Sequence, residues 1–264
     1  MWDNNEILME KIINSEMILI GIGSEFSNRL DKIEQTKLYH KISNDLEIED
    51  IKGTNYFPYV IYDFLKKNKF DRILKGYHQL ASKLIDKNFF IISTNMDDLI
   101  WKSNLDKERI VAPCGGYQYL QCSQGCCNKL EDSKEISDDF ITQIINIDNC
   151  KNIIFPQCKN CGSDLVFNNT LNNKYVEDGY LSQWEKYTTW LQGTLNKSIC
   201  IIELGVDMTY PSVIRWPFEK INFYNQKSSF FRVNERLYQL SEELKEKGAS
   251  IQENALDFIV NKFV

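Results

Sequence analysis

Met17-Ile18-Leu19-Ile20-Gly21-Ile22-Gly23-Ser24-Glu25 is a short apolar run that opens into a glycine-bearing turn. A run of this length without polar alternation predicts a strand buried on both faces, and such a strand feeding a turn is the usual opening of an open α/β sheet. The theme recurs along the chain. Phe89-Phe90-Ile91-Ile92 leads into the polar tip Ser93-Thr94-Asn95-Met96-Asp97-Asp98, and Ile110-Val111-Ala112-Pro113 into Cys114-Gly115-Gly116. Ile199-Cys200-Ile201-Ile202-Glu203-Leu204 ends at Gly205. Ile221-Asn222-Phe223-Tyr224 and Phe230-Phe231-Arg232-Val233-Asn234 read as further strands. Helical spacing of apolar residues occupies 4–16, 28–42 and 57–85, and two closing helices are expected over about 235–247 and 253–263. The expectation is an α/β fold: a Rossmann-like parallel sheet flanked by helices, with its ligand site along the carboxyl edge.

The 264 residues suit one large domain, or one carrying a smaller insertion. With 31 Lys+Arg against 37 Asp+Glu the net charge is −6, which argues against nucleic acid as a partner, because phosphate neutralisation needs a basic surface. No apolar run approaches the ~20 residues of a membrane span. The opening Met1-Trp2-Asp3-Asn4-Asn5-Glu6 has neither the basic region nor the apolar core of a signal peptide, so a cytoplasmic protein is expected.

Eight cysteines in a reducing compartment point to metal binding or chemistry rather than to a disulfide framework. Seven fall between Cys114 and Cys161. Most of these lie in the span 117–169, which breaks the strand–helix rhythm and reads as an inserted zinc-binding module, leaving 1–116 and 170–264 for the large domain. Cys122-Ser123-Gln124-Gly125-Cys126-Cys127 offers one ligand pair, and Cys158-Lys159-Asn160-Cys161-Gly162 a CxxC knuckle. Four thiolates close a tetrahedron around a structural zinc, and its binding energy holds a weakly packed module together. The set is Cys122, Cys126, Cys158 and Cys161, with Cys127 as the alternative to Cys126. Cys150 and Cys200, each beside or within isoleucine-rich sequence, read as packing thiols.

Gly21-Ile22-Gly23 alone is a weak signal, because Phe26 stands where a full dinucleotide fingerprint needs its third glycine. The tip Ser93-Thr94-Asn95-Met96-Asp97 says more. Asn95 and Asp97, two apart at a strand end, can face one ligand with an amide and a carboxylate; the same pair also suits a helix cap and a first-turn acid.

Taken in order, these features resemble the sirtuin family of NAD-dependent transferases. Gly21-Ile22-Gly23-Ser24 is similar to the sirtuin Gly-Ala-Gly-Ile-Ser loop, and Ser93-Thr94-Asn95-Met96-Asp97 to the Thr-Gln-Asn-Ile-Asp motif. A four-cysteine zinc module follows, then Glu203-Leu204-Gly205-Val206 near the Gly-Thr-Ser segment, then Phe231-Arg232-Val233-Asn234, which resembles the strand whose Asn holds the adenosine ribose. The resemblance implies that the large domain binds NAD. Gly21, Gly23 and Ser24 would face the phosphates, Gly205, Val206 and Asn234 would complete the cofactor site, Asn95 would orient the ribose or a water, and Asp97 would bind the carboxamide.

Tyr117-Gln118-Tyr119-Leu120-Gln121-Cys122-Ser123 and Arg215-Trp216-Pro217-Phe218 resemble the macrodomain-linked microbial branch, associated with ADP-ribosylation of lipoyl-carrying proteins and with a macrodomain partner that reverses it. Where sirtuin deacylases have His-Gly this chain has Cys114-Gly115, and its two histidines, His40 and His78, lie in helical stretches. A thiol with a reference pKa of ~8.5 is a poor general base near neutrality. The resemblance therefore implies a protein ADP-ribosyltransferase that releases nicotinamide and modifies a protein acceptor, a lipoyl-carrier protein being the candidate. Asn95, Asp97 and Cys114 are the candidate catalytic residues, Cys114 as weak base, nucleophile or mere gap-filler. The alternatives are a weak NAD-dependent deacylase and a catalytically silent NAD-binding module.

Overall fold

The computed structural model describes residues 4–27 and 30–263. Met1 to Asp3, and residues 28 and 29 at the start of the helix expected over 28–42, lie outside the described residues. In chain order the elements are α1 (Asn4–Asn14), β1 (Met17–Ile22), α2 (Lys37–Leu46), α3 (Phe57–Lys67), α4 (Asp71–Leu84) and β2 (Asn88–Ser93). There follow β3 (Ile110–Val111), β4 (Gly115–Cys122), β5 (Glu131–Asp132), α5 (Ser133–Asn146), β6 (Leu165–Asn169) and α6 (Leu181–Gln192). The last six are β7 (Ile199–Leu204), α7 (Arg215–Tyr224), β8 (Ser228–Val233), α8 (Glu242–Lys245), β9 (Gly248–Ile251) and α9 (Ala255–Lys262).

These elements form two compact units. Met1–Ser27, Phe70–Cys114 and Tyr180–Val264 make the first; Asn28–Lys69 and Gly115–Gly179 make the second. The first unit holds a parallel sheet in the order β3-β2-β1-β7-β8-β9. From β1 the chain winds outward through β2 to β3, then returns to the other side of β1 to lay down β7. The winding direction reverses between β1 and β7, and open α/β sheets bind their ligands in the crevice at such a reversal.

The strand sequences explain why this sheet is central. Every residue of β1, β7 and β8 is buried, as expected for strands covered on both faces. Alternate residues feed separate cores. Ile18, Ile20 and Ile22 pack with Tyr77 and Leu80 of α4 and Ile259 of α9, whereas Met17 and Leu19 pack with Tyr187 and Trp190 of α6 and Phe218 of α7.

Four sequence expectations need correction. Residues 221–224 are the end of α7, not a strand: Phe218 and Asn222 are buried at a spacing of four, while Phe223 and Tyr224 are exposed. Only Glu242–Lys245 is helical within 235–247, and the edge strand β9 follows it, too poor in apolar residues to announce itself. The expected 57–85 helix is broken between α3 and α4, where Asn68 turns extended and donates its side-chain amide to the Phe64 carbonyl at 2.8 Å. Helix α2 begins only at Lys37, behind a Thr36 cap that accepts the Tyr39 N–H.

The second unit is built from two chain segments, where the sequence suggested the single span 117–169. Its sheet is antiparallel, in the order β5-β4-β6. Aromatic rings join the segments: Tyr59 of α3 lies 4.6 Å from Phe140 and 5.1 Å from Phe167 between ring centroids, and Tyr56 lies 4.8 Å from Phe155. Residues 28–69 carry no cysteine, so the thiol pattern could not reveal their place here. Among the described residues no helix is long and apolar enough to cross a membrane.

Two charges interrupt the apolar strands of the first unit. Glu203 on β7 stands in register with Arg232 on β8 and accepts from its Nε at 2.6 Å; both are buried. Arg232 also donates to Glu219 at 2.6 Å, and Arg215 lies 3.8 Å from Glu203. Removing one partner of such a group strands the others in a dry interior. Glu203→Ala is expected to lower unfolding free energy by about 3–5 kcal/mol, read from urea denaturation of the purified chain.

Candidate functional site

The parallel ladder continues one residue past the strand ends. Gly23 donates its N–H to the Leu204 carbonyl at 2.9 Å, Thr94 to Ile22 at 3.0 Å, Gly205 to Val233 at 2.8 Å, and Asn234 to Ile251 at 3.1 Å. These bonds bring the turns after β1, β2, β7 and β8 to one level along the carboxyl edge. Gly23, Ser24, Asn95, Asp97, Gly205, Val206 and Asn234 therefore belong to one row of turns. Gly21 does not. It lies inside β1, and the Phe218 ring is 3.0 Å from where its Cβ would stand, so it makes room for α7.

At the β1/β7 crevice two glycines meet. A Cβ on Gly23 would come within 2.5 Å of both the Gly205 oxygen and the Val206 Cα. Gly205 itself has φ +63° and its back lies against the Glu25 side chain, so a larger residue is barred by conformation as well as by space. Glu25 accepts the N–H groups of Glu235 at 2.9 Å and of Ala255, the first residue of α9, at 2.7 Å. Burial pushes its carboxyl above the ordinary value. Asp207 behaves oppositely: although burial works against it, the Thr209 N–H and the Ser24 hydroxyl hold it below the usual carboxylate range.

The Val206 carbonyl accepts from Arg215 at 2.6 Å and from Asn234 Nδ2 at 3.0 Å. Asn234 Oδ1 accepts from the N–H groups of Arg236 and Leu237 at 2.9 and 2.7 Å. Its amide thus staples the turns after β7 and β8 together.

At the β2 tip, the Ser93 hydroxyl accepts the Asn95 N–H at 3.2 Å, and Asp97 accepts the N–H of Leu99 at 3.1 Å, opening the short 3-10 turn Leu99–Lys102. Asp97 thus caps that turn while staying partly exposed. Asn95 is 7% exposed, and its Nδ2 makes no hydrogen bond. Tyr77 of α4 is fully buried, and that burial pushes its phenol well above the ordinary value. Cys114 is buried just beyond β3, whereas His40 and His78 are exposed on α2 and α4. Sequence reading misses Glu25 and Asp207 as residues of this edge, because nothing local marks them.

The second unit holds a metal-competent centre. Cys122, Cys126, Cys158 and Cys161 bring their sulfurs within 4.8 Å of one another. Cys122 lies 3.5 Å from Cys161, and Cys126 lies 3.6 Å from Cys158. A tetrahedral zinc with Zn–S bonds of ~2.3 Å sets its sulfurs ~3.8 Å apart, so the cluster fits the ion. The knuckle is shaped by the backbone: Gly162, at φ +72°, donates to the Cys158 carbonyl at 2.8 Å, and Cys158 donates to the Ser163 carbonyl at 2.7 Å. The Ser163 hydroxyl and N–H hold the Cys161 thiol down to about 6, which readies a thiolate. Cys127 stands 3.9 Å from Cys126, beside the cluster.

Solved structures of Sir2 enzymes share this architecture. One, from a study of the mechanism and regulation of Sir2 enzymes, matches 100% of this chain and 97% of its own with a TM-score of 0.59 at 15% identity. Another, bound to a propionylated peptide, matches 97% of this chain and 96% of its own with a TM-score of 0.56 at 13% identity. The chain has the sirtuin fold. No family model matches the sequence of this sirtuin-fold chain. Among curated proteins, a protein ADP-ribosyltransferase of Staphylococcus aureus is 22% identical over 94% of this chain and 84% of its own length. A Fusarium oxysporum protein named "Probable bifunctional ADP-ribose hydrolase/ADP-ribosyltransferase" is 29% identical over 50% of this chain, a match that spans 23% of the fungal protein.

The sulfur geometry separates Cys126 from its neighbour. Cys126→Ser should lose most bound zinc and lower the melting temperature, whereas Cys127→Ser should keep one zinc per chain; elemental analysis with thermal melts checks both.

Proposed function

We propose that this chain is an NAD-dependent protein ADP-ribosyltransferase that releases nicotinamide and modifies a protein acceptor. The observation that carries the reading is the row of turns at the β1/β7 reversal, which sets two touching glycines level with a buried amide and a carboxylate.

The residues fit NAD. Gly23 and Gly205 carry no side chain of their own where the two turns meet, which suits the close backbone approach that a pyrophosphate needs. Asn95 Nδ2 is a buried donor lacking an acceptor, a cost of about 1–3 kcal/mol that a ligand oxygen removes. When bound, NAD supplies an activated ribosyl carbon with nicotinamide as its leaving group. With NAD bound, Gly23 and Ser24 would border the phosphates and Gly205 and Val206 the opposite wall. Asn95 would donate to the ribose or to a held water. The Asp97 carboxylate would accept from the carboxamide N–H and so help to orient the leaving group. Asn234 and Arg215 keep the Val206 wall in place.

Cys114 supports transfer over deacylation. By the resemblance it stands at the position of the deacylase base, and both histidines are exposed on helices. Without a strong base to activate a ribose hydroxyl, an acceptor side chain that brings its own nucleophile is the better partner. The Staphylococcus relative, named for this transfer, supports the reading across nearly the whole chain. The likeness to the macrodomain-linked branch favours a lipoyl-carrier acceptor, and a macrodomain protein as the partner that removes the mark; the double activity in the fungal relative's name is in keeping with that pairing. The eight cysteines, none of them in a disulfide, suit a cytoplasmic setting.

Incubating the purified chain with NAD and a lipoyl-domain acceptor should release nicotinamide and raise the acceptor's intact mass by one ADP-ribose. Asp97→Ala should cut release more than tenfold, while Cys150→Ser leaves it unchanged. Loss of an acyl group from the acceptor would instead identify a deacylase, and NAD binding without release a silent module.

A further inference from the structure

The amino edge of the parallel sheet, at the far end of the strands from the row of turns, carries a groove that the NAD reading does not use. Residues 193–198 lead into β7 and the turn 225–227 leads into β8, and Ile199 stands in register with Ser228, so the two segments meet at this edge. Between them and the flanks of α6 and α7 opens a hollow of about 500 Å³, within the size range of small-molecule sites. Leu191, Leu195, Pro217, Ile221 and Tyr224 line it with carbon, and Leu195 and Tyr224 are 75% and 70% exposed. Large apolar side chains gathered around one concavity mark a place where something binds.

The groove is held in shape by its own hydrogen bonds. Asn225 Nδ2 donates to the Thr194 and Lys197 carbonyls at 3.3 and 3.2 Å, and its Oδ1 accepts the Lys227 N–H at 2.9 Å. Thr194, buried, donates its hydroxyl to the Leu191 carbonyl at 2.7 Å. Loop and turn are stapled to each other before any ligand arrives, which lowers the ordering cost of binding.

The charges around this groove have one sign. Lys220 and Lys227 line it, and among the described residues no carboxylate does. Elsewhere in this acidic chain lysines find acids: Lys66 meets Asp138, Lys186 meets Glu108 and Lys197 meets Glu16. Lys227 instead gives its ammonium to the Asn196 carbonyl at 3.0 Å, and the Lys220 ammonium has no partner among the described residues. The hollow on the other flank of α7 differs, since Glu219, Glu243 and Glu246 border it beside Lys220 and Lys247. Of the two, the first joins carbon walls to a positive rim that no acid offsets.

We propose that this groove binds a small apolar carboxylate, an alkyl or aryl acid of medium length. Its hydrocarbon body lies against Leu191, Leu195, Ile221 and Tyr224, and its carboxylate meets the two lysines, whose stems extend the apolar wall. The site is separate from the row of turns, so it stands whether or not the NAD reading holds.

Octanoate is the probe, titrated calorimetrically into the purified chain, with octan-1-ol as its uncharged counterpart. Octanoate should bind saturably at one equivalent, and octan-1-ol about fivefold more weakly, the scale of an exposed ion pair. Lys220→Gln combined with Lys227→Gln should bring octanoate down to the level of the alcohol and leave the alcohol where it was. Leu195→Glu, an acid placed at an exposed point of the wall, should weaken octanoate by about tenfold or more. The proposal is overturned if octanoate fails to saturate at millimolar concentration, or if the alcohol binds as tightly as the acid. It is equally overturned if the lysine pair and Leu195→Glu both bind octanoate like the parent, which would place the ligand elsewhere.

Discussion

The turns after β1 and β7 meet backbone to backbone at Gly23 and Gly205, and the carboxyl edge is organised by that contact. It is available only because the sheet winds in two directions from β1, which leaves the two turns adjacent with no crossover helix between them. Any side chain at Gly23 would push the β7 turn away, and with it Val206 and the staple from Asn234. The ladder bonds beyond the strand ends spread the same constraint sideways to Thr94. The site is level because four strands end in register and the backbone keeps pairing for one residue more.

A second layer of support lies beneath that edge and is electrostatic. Glu203 and Arg232 would each be prohibitively costly alone in a sheet buried on both faces. Together with Arg215 and Glu219 they spend their hydrogen bonds on turns: Arg215 on the Val206 carbonyl, and Arg232 on the Gln239 carbonyl at 2.6 Å. A hydrophobic replacement could fill the same volume but could not hold those carbonyls. The network converts buried charge into the placement of backbone.

The strands were legible because β1, β2 and β7 are short continuous apolar runs with polar or glycine tips, a pattern few other structures produce. The four zinc thiols were legible as well, since a CxxC knuckle with a following glycine has little else to do. Glu25 was not, because an acid in a turn looks like any surface carboxylate until the turns after β8 and before α9 bring it the N–H groups of Glu235 and Ala255. Asn234 resembles a ligand contact in the sequence; in the structure its amide also donates to Val206 and accepts from Arg236 and Leu237, a role in holding turns that no local pattern announces. The α7 segment misled because Ile221 to Tyr224 is apolar in composition, and only Pro217 and the buried Phe218/Asn222 pair disclose the helix. Glu203 and Arg232, opposite charges within two apolar runs, were a usable sign of neighbouring strands.

The order of segments in the two units also constrains how the chain comes to be folded as it is made. The second unit opens with residues 28–69, is interrupted by β2 and β3 of the first, and is completed only by 115–179. The central strand β1 waits longer still, because β7 arrives at residue 199. A nascent chain can thus gather its four thiols and its aromatic cluster before its main sheet has a middle. Closing a contact across so long a stretch of chain is slow, and compact structure already formed in the interval shortens the loop that must close. The thiol-bearing unit would then serve the growing polypeptide as a clasp, holding the early strands in the neighbourhood where the late ones will find them.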